Sequence, residues 1–244
     1  MKPSSQFPFQ TSNKSRIFVG QVHPACLAIH MGHARCLFHM SSVPSVVFSL
    51  AKEKDIRLVP TDSETLYKMD NKSRHFLLEC TVPTGLPLQQ VDLRRTKRIV
   101  LLDHIVDPHN IGAIFRTAAE FSIDLLLIPK KRSGGITQTV CTVSTGAVFV
   151  QPFSYVQGSI QLLKWLGKEG FTIVGTAMSG HNMRSYAFDE RTVLVLGNEG
   201  KGISDSVLKY CHHTVSIPTT NKVDSLNVSV AAGIFMYGMS ASRD

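Results

Sequence analysis

A single arginine stands in an otherwise apolar helix-like segment. The stretch DPHNIGAIFRTA, residues 107–118, places Arg116 after Ile111, Ile114 and Phe115. At helical spacing Ile111, Ile114, Phe115 and Ala118 share one face, and Arg116 falls about 140° from Ile111, at the margin of that stripe. A guanidinium stays protonated at neutral pH, so Arg116 is a poor base but a good group for orienting an anion or stabilising charge. Four more polar residues sit at comparable places: Asn110 at the start of the same segment, Glu199 in a glycine-rich loop, and Ser225 and Asn227 ahead of the last apolar helix. Each also has an ordinary reading. Arg116 and Glu199 can be solvated surface charges, and Asn110, Ser225 and Asn227 can be helix N-caps.

The glycine loop is LGNEGKGIS, residues 196–204, with Gly197, Gly200 and Gly202 after a strand-like run. Glycines there let backbone N–H groups approach a ligand, although glycine clusters mark turns first. The spacing is neither G-x-G-x-x-G nor G-x-x-x-x-G-K-[ST], which excludes a dinucleotide fingerprint and a P-loop. Neither His30 with His33 nor the run Cys211-His212-His213 makes a four-ligand set, so no metal is expected. G-x-S-x-G and H-E-x-x-H are absent.

The elements that must position these residues fall into two halves. Residues 1–14 read as a polar tail and 15–82 as a small α/β domain with strands at CLFHM, IRLVP and FLLECTV. Residues 83–97 carry Pro83, Gly85 and Pro87 and read as a linker. From 98 to 244 strands and helices alternate. RIVLLDHI, DLLLIP, GAVFVQP, FTIVGTAM, TVLVLG and TVSIP are the expected strands, with helices from Asn110 and through SIQLLKWLGKEG, SDSVLKYC and NVSVAAGIFMYGM. That alternation predicts an α/β domain with a mostly parallel sheet. The last helix is apolar on nearly every side, so it is either central to the domain or packed against a second subunit.

A net charge of +8 suggests a polyanionic partner. Arg94, Arg95, Lys97 and Arg98 at the end of the linker form one basic run, and Lys130, Lys131 and Arg132 another. Five scattered cysteines, with no C-x-x-C pair, point to reduced thiols in a cytoplasmic setting. No apolar run reaches the length of a membrane helix, and the N-terminus lacks a signal-peptide core.

The three motifs, in this order, resemble those of the SpoU (TrmH-type) RNA ribose 2′-O-methyltransferases of the SPOUT superfamily. They are LLDHIVDPHNIGAIFRTAAEF, VLVLGNEGKGIS and SIPTTNKVDSLNVSVAAGI, and the arrangement is most similar to the large-subunit rRNA guanosine-2′-O-methyltransferases. The resemblance spans roughly residues 97–240. It implies an α/β domain with a deep trefoil knot, a small ribosomal-protein-like RNA-binding domain before it, S-adenosyl-L-methionine as cofactor, and a homodimer. It also implies that Arg116, Asn110, Glu199, Ser225 and Asn227 are the polar site residues. The backbone around Gly197, Ile217 and Leu226, with Gly200, Gly202 and Asn227, would hold the cofactor. Structured RNA is the implied partner, rRNA before tRNA, with the two basic runs as its phosphate contacts. The first half departs from the family's pattern: RHFLLECTV keeps His75 but lacks the Gln and Gly of the usual His-Gln-Gly run.

Overall fold

The computed structural model of the chain describes residues 16–131, 133–220, 222 and 225–241. The polar tail and Arg132 therefore lie outside the described residues. A small mixed sheet comes first. Strands β1 (Arg16–Val19), β2 (Ala34–His39), β3 (Arg57–Pro60) and β4 (Phe76–Thr81) lie in the order β1-β4-β2-β3. β4 runs antiparallel to both neighbours, whereas β2 and β3 are parallel and need a crossover, which α2 (Ser45–Glu53) supplies. Helices α1 (Val22–His30) and α3 (Ser63–Met69) complete the unit.

The second sheet is entirely parallel. β5 (Arg98–Leu102), β6 (Leu125–Pro129), β7 (Phe153–Val156), β8 (Thr172–Asn182), β9 (Thr192–Leu196) and β10 (His213–Ser216) lie in the order β10-β8-β9-β5-β6-β7. The central strands are continuous apolar runs because both faces are covered. Val100 and Leu102 of β5 pack with Ile111, Ile114 and Phe115 of α4 (Pro108–Glu120) and Phe235 and Met239 of α8 (Val228–Ala241). Ile99 and Leu101 face the other way, onto Leu162, Leu163 and Leu166 of α6 (Ser159–Lys168) and Val207 of α7 (Asp205–Leu208). Each such side chain contributes about 1.5–3 kcal/mol when fully buried. Among the described residues no helix is long and apolar enough to cross a membrane.

The expected strand at GAVFVQP is not one. Ala147–Phe149 forms a 3₁₀ turn, entered through Gly146 at φ +89°, and the strand begins at Phe153. The run is apolar because it is wedged between the two units. A Cβ on Gly146 would come within 2.8 Å of Pro24 in α1, and Val148 and Phe149 share one core with Ile17, Leu78 and Cys80 of the small sheet. A short helix missed from sequence, α5 (Gln138–Val143), lies beside that turn.

α5 packs on the small unit through Val140 and Cys141 and hydrogen-bonds to it through Gln138. β1 is an edge strand, and Gln138 meets its open side twice: Phe18 N–H donates to Gln138 Oε1 at 2.7 Å, and Gln138 Nε2 donates to the Phe18 carbonyl at 2.6 Å. The 83–97 stretch is also tied down. Leu86 N–H donates to the Phe153 carbonyl at 2.7 Å, and Ser154 Oγ donates back to the Leu86 carbonyl at 2.7 Å.

All five cysteines are free. Burial pushes the Cys141 thiol up to about 12 and Cys80 further still, which holds both as neutral thiols.

Candidate active site

The six-stranded order reverses direction between β5 and β9. From β5 the chain moves outward through β6 and β7, and then returns on the other side through β8 and β9. Such a switch point, at the carboxyl ends of parallel strands, opens a crevice between the loops. Two of the three sequence motifs leave the sheet here: α4 after β5, and the glycine loop after β9.

α4 starts earlier than expected from Asn110. Asp107 is the N-cap, its carboxylate accepts the His109 N–H at 3.1 Å, and Pro108 fills the first helical position. Asn110 is therefore inside the first turn, with its side chain available for tertiary bonding. It is 7% exposed, and a buried amide needs partners. Asn110 Nδ2 donates to Glu199 Oε1 at 3.0 Å, while its Oδ1 accepts from Asn227 Nδ2 at 2.9 Å. Asn227 Nδ2 also donates to Glu199 Oε1. The three motifs thus meet in one closed ring of side chains.

Asn227 bonds in two directions. Its Oδ1 accepts from Ser229 N–H at 2.9 Å and Ser229 Oγ at 2.6 Å, as an N-cap does. Its Nδ2 belongs to the ring. Glu199 lies on the exposed surface, yet Oε1 accepts a third donor, Val228 N–H, at 3.2 Å. A carboxylate at the start of α8 is also favoured by the helix dipole.

The glycine loop is shaped by its own contacts. Asn198 and Gly202 exchange both backbone hydrogen bonds, at 3.0 and 2.8 Å. A Cβ on Gly197 would sit 2.1 Å from the Gly202 carbonyl carbon, so this turn requires glycine there. Gly202 itself has φ +66°. Asn198 Nδ2 ties the loop to the His104 carbonyl at 3.2 Å.

Asp103 is a further organising residue that the sequence reading missed. It is 1% exposed, and its Oδ2 accepts from Ser204 N–H at 3.0 Å and Ser204 Oγ at 2.9 Å. It locks the end of β5 to the far side of the glycine loop. The signal available was one acid closing an apolar strand in LLDHI.

The structure does not gather every expected residue. Arg116 is six residues beyond Asn110, about 9 Å along the helix and roughly 120° around it. It is exposed and, among the described residues, makes no hydrogen bond or ion pair. The adjacent Thr117 packs against Gly233 of α8. Ser225 is exposed and outside the ring, and Leu226 is half-buried next to Asn227. Ile217 follows β10, is half-buried and packs on the main core.

The linker basics also divide. Arg94 and Arg95 are exposed, and Arg95 pairs with Asp92 at 3.6 Å. Lys97 is bonded to Glu190. Arg98 is only 6% exposed because it opens β5 with its neighbours inside the sheet, so it leaves the set of candidate phosphate contacts. Lys130 and Lys131 are exposed just after β6.

The described side chains of α8 divide between the core and the surface. Val228, Ala232, Phe235, Met236 and Met239 are buried in the domain, while Val230, Ile234 and Tyr237 form an exposed apolar stripe at 52%, 36% and 61%.

Comparison with known proteins agrees with this geometry. An archaeal protein from Archaeoglobus fulgidus, described as an uncharacterized tRNA/rRNA methyltransferase, is 39% identical over 145 residues, 59% of this chain and 65% of that protein. A similarly described protein from Synechocystis is 40% identical over 147 residues, 59% of this chain and 38% of its own length. The chain thus spans less than two thirds of the curated relatives it matches. The SpoU methyltransferase AviRb from Streptomyces viridochromogenes, solved with AdoMet, has the same fold, with a TM-score of 0.81 over 94% of this chain and 91% of that one at 24% identity. A TrmH/SpoU tRNA modifying enzyme from A. aeolicus aligns at TM-score 0.56 and 29% identity over 61% of this chain and 76% of its own. The SpoU rRNA Methylase family model matches residues 97–237, which includes every member of the Asn110–Glu199–Asn227 ring, and the chain belongs to that family.

Proposed function

We propose that this chain transfers the methyl group of S-adenosylmethionine to a ribose 2′-hydroxyl of RNA, with a guanosine of large-subunit rRNA as the favoured target. The observation that carries this reading is the ring that Asn110, Glu199 and Asn227 form at the switch point, because it joins all three family motifs. The residues there fit the cofactor. Gly197 lets the loop fold close on itself, no atom lies within 4 Å of a Cβ built on Gly202, and Ile217 and Leu226 offer half-buried apolar surface. The glycine loop, Ile217 and Leu226 would hold the adenosyl group. The cofactor supplies an electrophilic methyl group on sulfur. The knot that the resemblance implies belongs to the same reading, as does a cytoplasmic location.

The chain's own residues supply position and charge. Glu199 and Asn227 fix the loop and the start of α8, so that donor and acceptor meet in one geometry; such positioning supplies much of the rate in transfer reactions. Arg116 keeps its charge at neutral pH and would orient the reacting hydroxyl through an adjacent RNA phosphate. Arg94, Arg95, Lys130 and Lys131 remain as phosphate contacts. The small domain favours rRNA, while the names of the relatives leave tRNA as the second target. Incubating the protein with isotopically labelled S-adenosylmethionine and RNA from a strain lacking it, then mapping label by mass spectrometry, tests the reading. A 2′-O-methylated nucleotide in the large-subunit rRNA is expected. Label in tRNA alone would move the target, and absence of both label and cofactor binding would overturn the proposal.

The stripe on α8 leads us to propose a homodimer through that face. Ile234→Glu is expected to weaken dimerisation on the order of 100-fold or more, since an unpaired carboxylate would be buried against apolar surface. At 36% exposure within one subunit, the substitution should leave circular dichroism unchanged. Sedimentation velocity reads both; a wild-type monomer at micromolar concentration would refute the dimer.

A further inference from the structure

We propose that the cleft between the small domain and the first turn of α4 is a binding site for one single-stranded ribonucleotide next to the target ribose, contacted by Asn71, Lys72 and His109. The inference rests on the RNA methyl-transfer reading and adds the site that selects its substrate.

The cleft has a volume of about 490 Å³. That falls within the roughly 300–1,000 Å³ of sites that enclose a small ligand, and is too small for a duplex. Its walls are built. On one side Asp70 shapes the loop before β4, accepting Ser73 Oγ–H at 2.6 Å and Lys72 N–H at 3.3 Å. Gly20 allows this loop to close in, since a Cβ there would lie 2.2 Å from Ser73 Oγ. The opposite wall is formed by α4 and α5, and the Gln138 bonds to Phe18 hold the two walls at a fixed spacing.

Three lining side chains are exposed and make no side-chain hydrogen bond or ion pair among the described residues: Asn71, Lys72 and His109. Together they present what a nucleotide offers partners for. An amide gives a donor and an acceptor for a base edge, an ammonium meets a phosphate, and an imidazole ring offers a stacking face. His109 directly precedes Asn110 in the first turn of α4, so the cleft and the Asn110–Glu199–Asn227 ring share one helical turn.

The test uses fluorescence anisotropy with a short fluorescein-labelled oligouridine, and with a labelled RNA duplex of equal length. The Asn71→Ala/Lys72→Ala double variant and His109→Ala are each expected to weaken single-strand binding about tenfold, with His109→Phe restoring most of the loss because it keeps a stacking ring. Duplex binding and S-adenosylmethionine affinity should stay as in the wild type. With a methylatable RNA, KM should rise about tenfold while kcat holds, since these contacts act equally in the ground and transition states. Unchanged oligouridine affinity in both variants would overturn the site. So would an equal loss for single strand and duplex, which would reduce Lys72 to general attraction. Failure of the wild type to bind S-adenosylmethionine or to methylate RNA would instead strike the underlying reading, and the anisotropy result is scored independently of it.

Discussion

Arg116→Ala is expected to lower methyl transfer roughly 10²–10³-fold, the loss typical of removing one charge-stabilising donor from an active site. Binding of S-adenosylmethionine should be nearly intact. The separation follows from location: the proposed cofactor contacts lie on the loops after β9 and β10, whereas Arg116 is exposed on α4 and outside the ring. Stability should also be little changed, because the side chain has no partner within the described chain. Arg116→Lys should restore little activity. An ammonium is a point charge, and cannot grip a phosphate and a ribose together as the planar guanidinium fork can. Single-turnover kinetics at saturating RNA isolates the step. Near-normal turnover in the alanine variant would return Arg116 to a solvated surface residue and remove it from the mechanism.

Glu199→Ala should have the largest combined effect on stability and activity. Glu199 Oε1 accepts from Asn110, Asn227 and Val228, and its removal leaves the buried Asn110 amide without an acceptor. An orphaned buried donor costs about 1–3 kcal/mol. For a chain of this size that lowers Tm by roughly 2–4 °C per kcal/mol. The loop and the start of α8 would then lose register, and a misplacement near 1 Å can cost about 10²-fold in rate. Glu199→Gln keeps an acceptor oxygen at the same reach, so it should retain most of the stability and report the part due to charge. Thermal unfolding and a cofactor titration on the two variants decide the matter. An alanine variant with wild-type Tm and wild-type affinity would show that the ring is idle.

The sequence was most readable where local physics decides the outcome. β6, and β5 and β9 after their first residues, are apolar runs because both sheet faces are covered, and the alternation of strands with helices required a parallel sheet. It was least readable where distant residues decide. Ala147–Phe149 looked like a strand because three buried apolar residues carry no period; their burial comes from a neighbouring unit. Arg98 looked like part of a basic surface run, but its place at the head of β5 draws it inside. Asn110 looked like a cap, although Asp107 followed by Pro108 was the better local signal; its true partner, Glu199, lies 89 residues away in sequence. Arg116, Ser225 and Leu226 could be matched to motifs from type and order alone, whereas only coordinates show that the first two stand apart from the ring.

The Gln138 clamp has a consequence for how the chain is made. The side chain that seals β1 is synthesised well after the strand it seals, with the whole of β5, α4 and β6 in between. At roughly 5–20 residues per second, the nascent small sheet waits several seconds with that border unsealed. An unsealed border is a template for pairing with another emerging chain. Translation of the second domain is therefore also the step that protects the first, and any pause before residue 138 lengthens the time at risk.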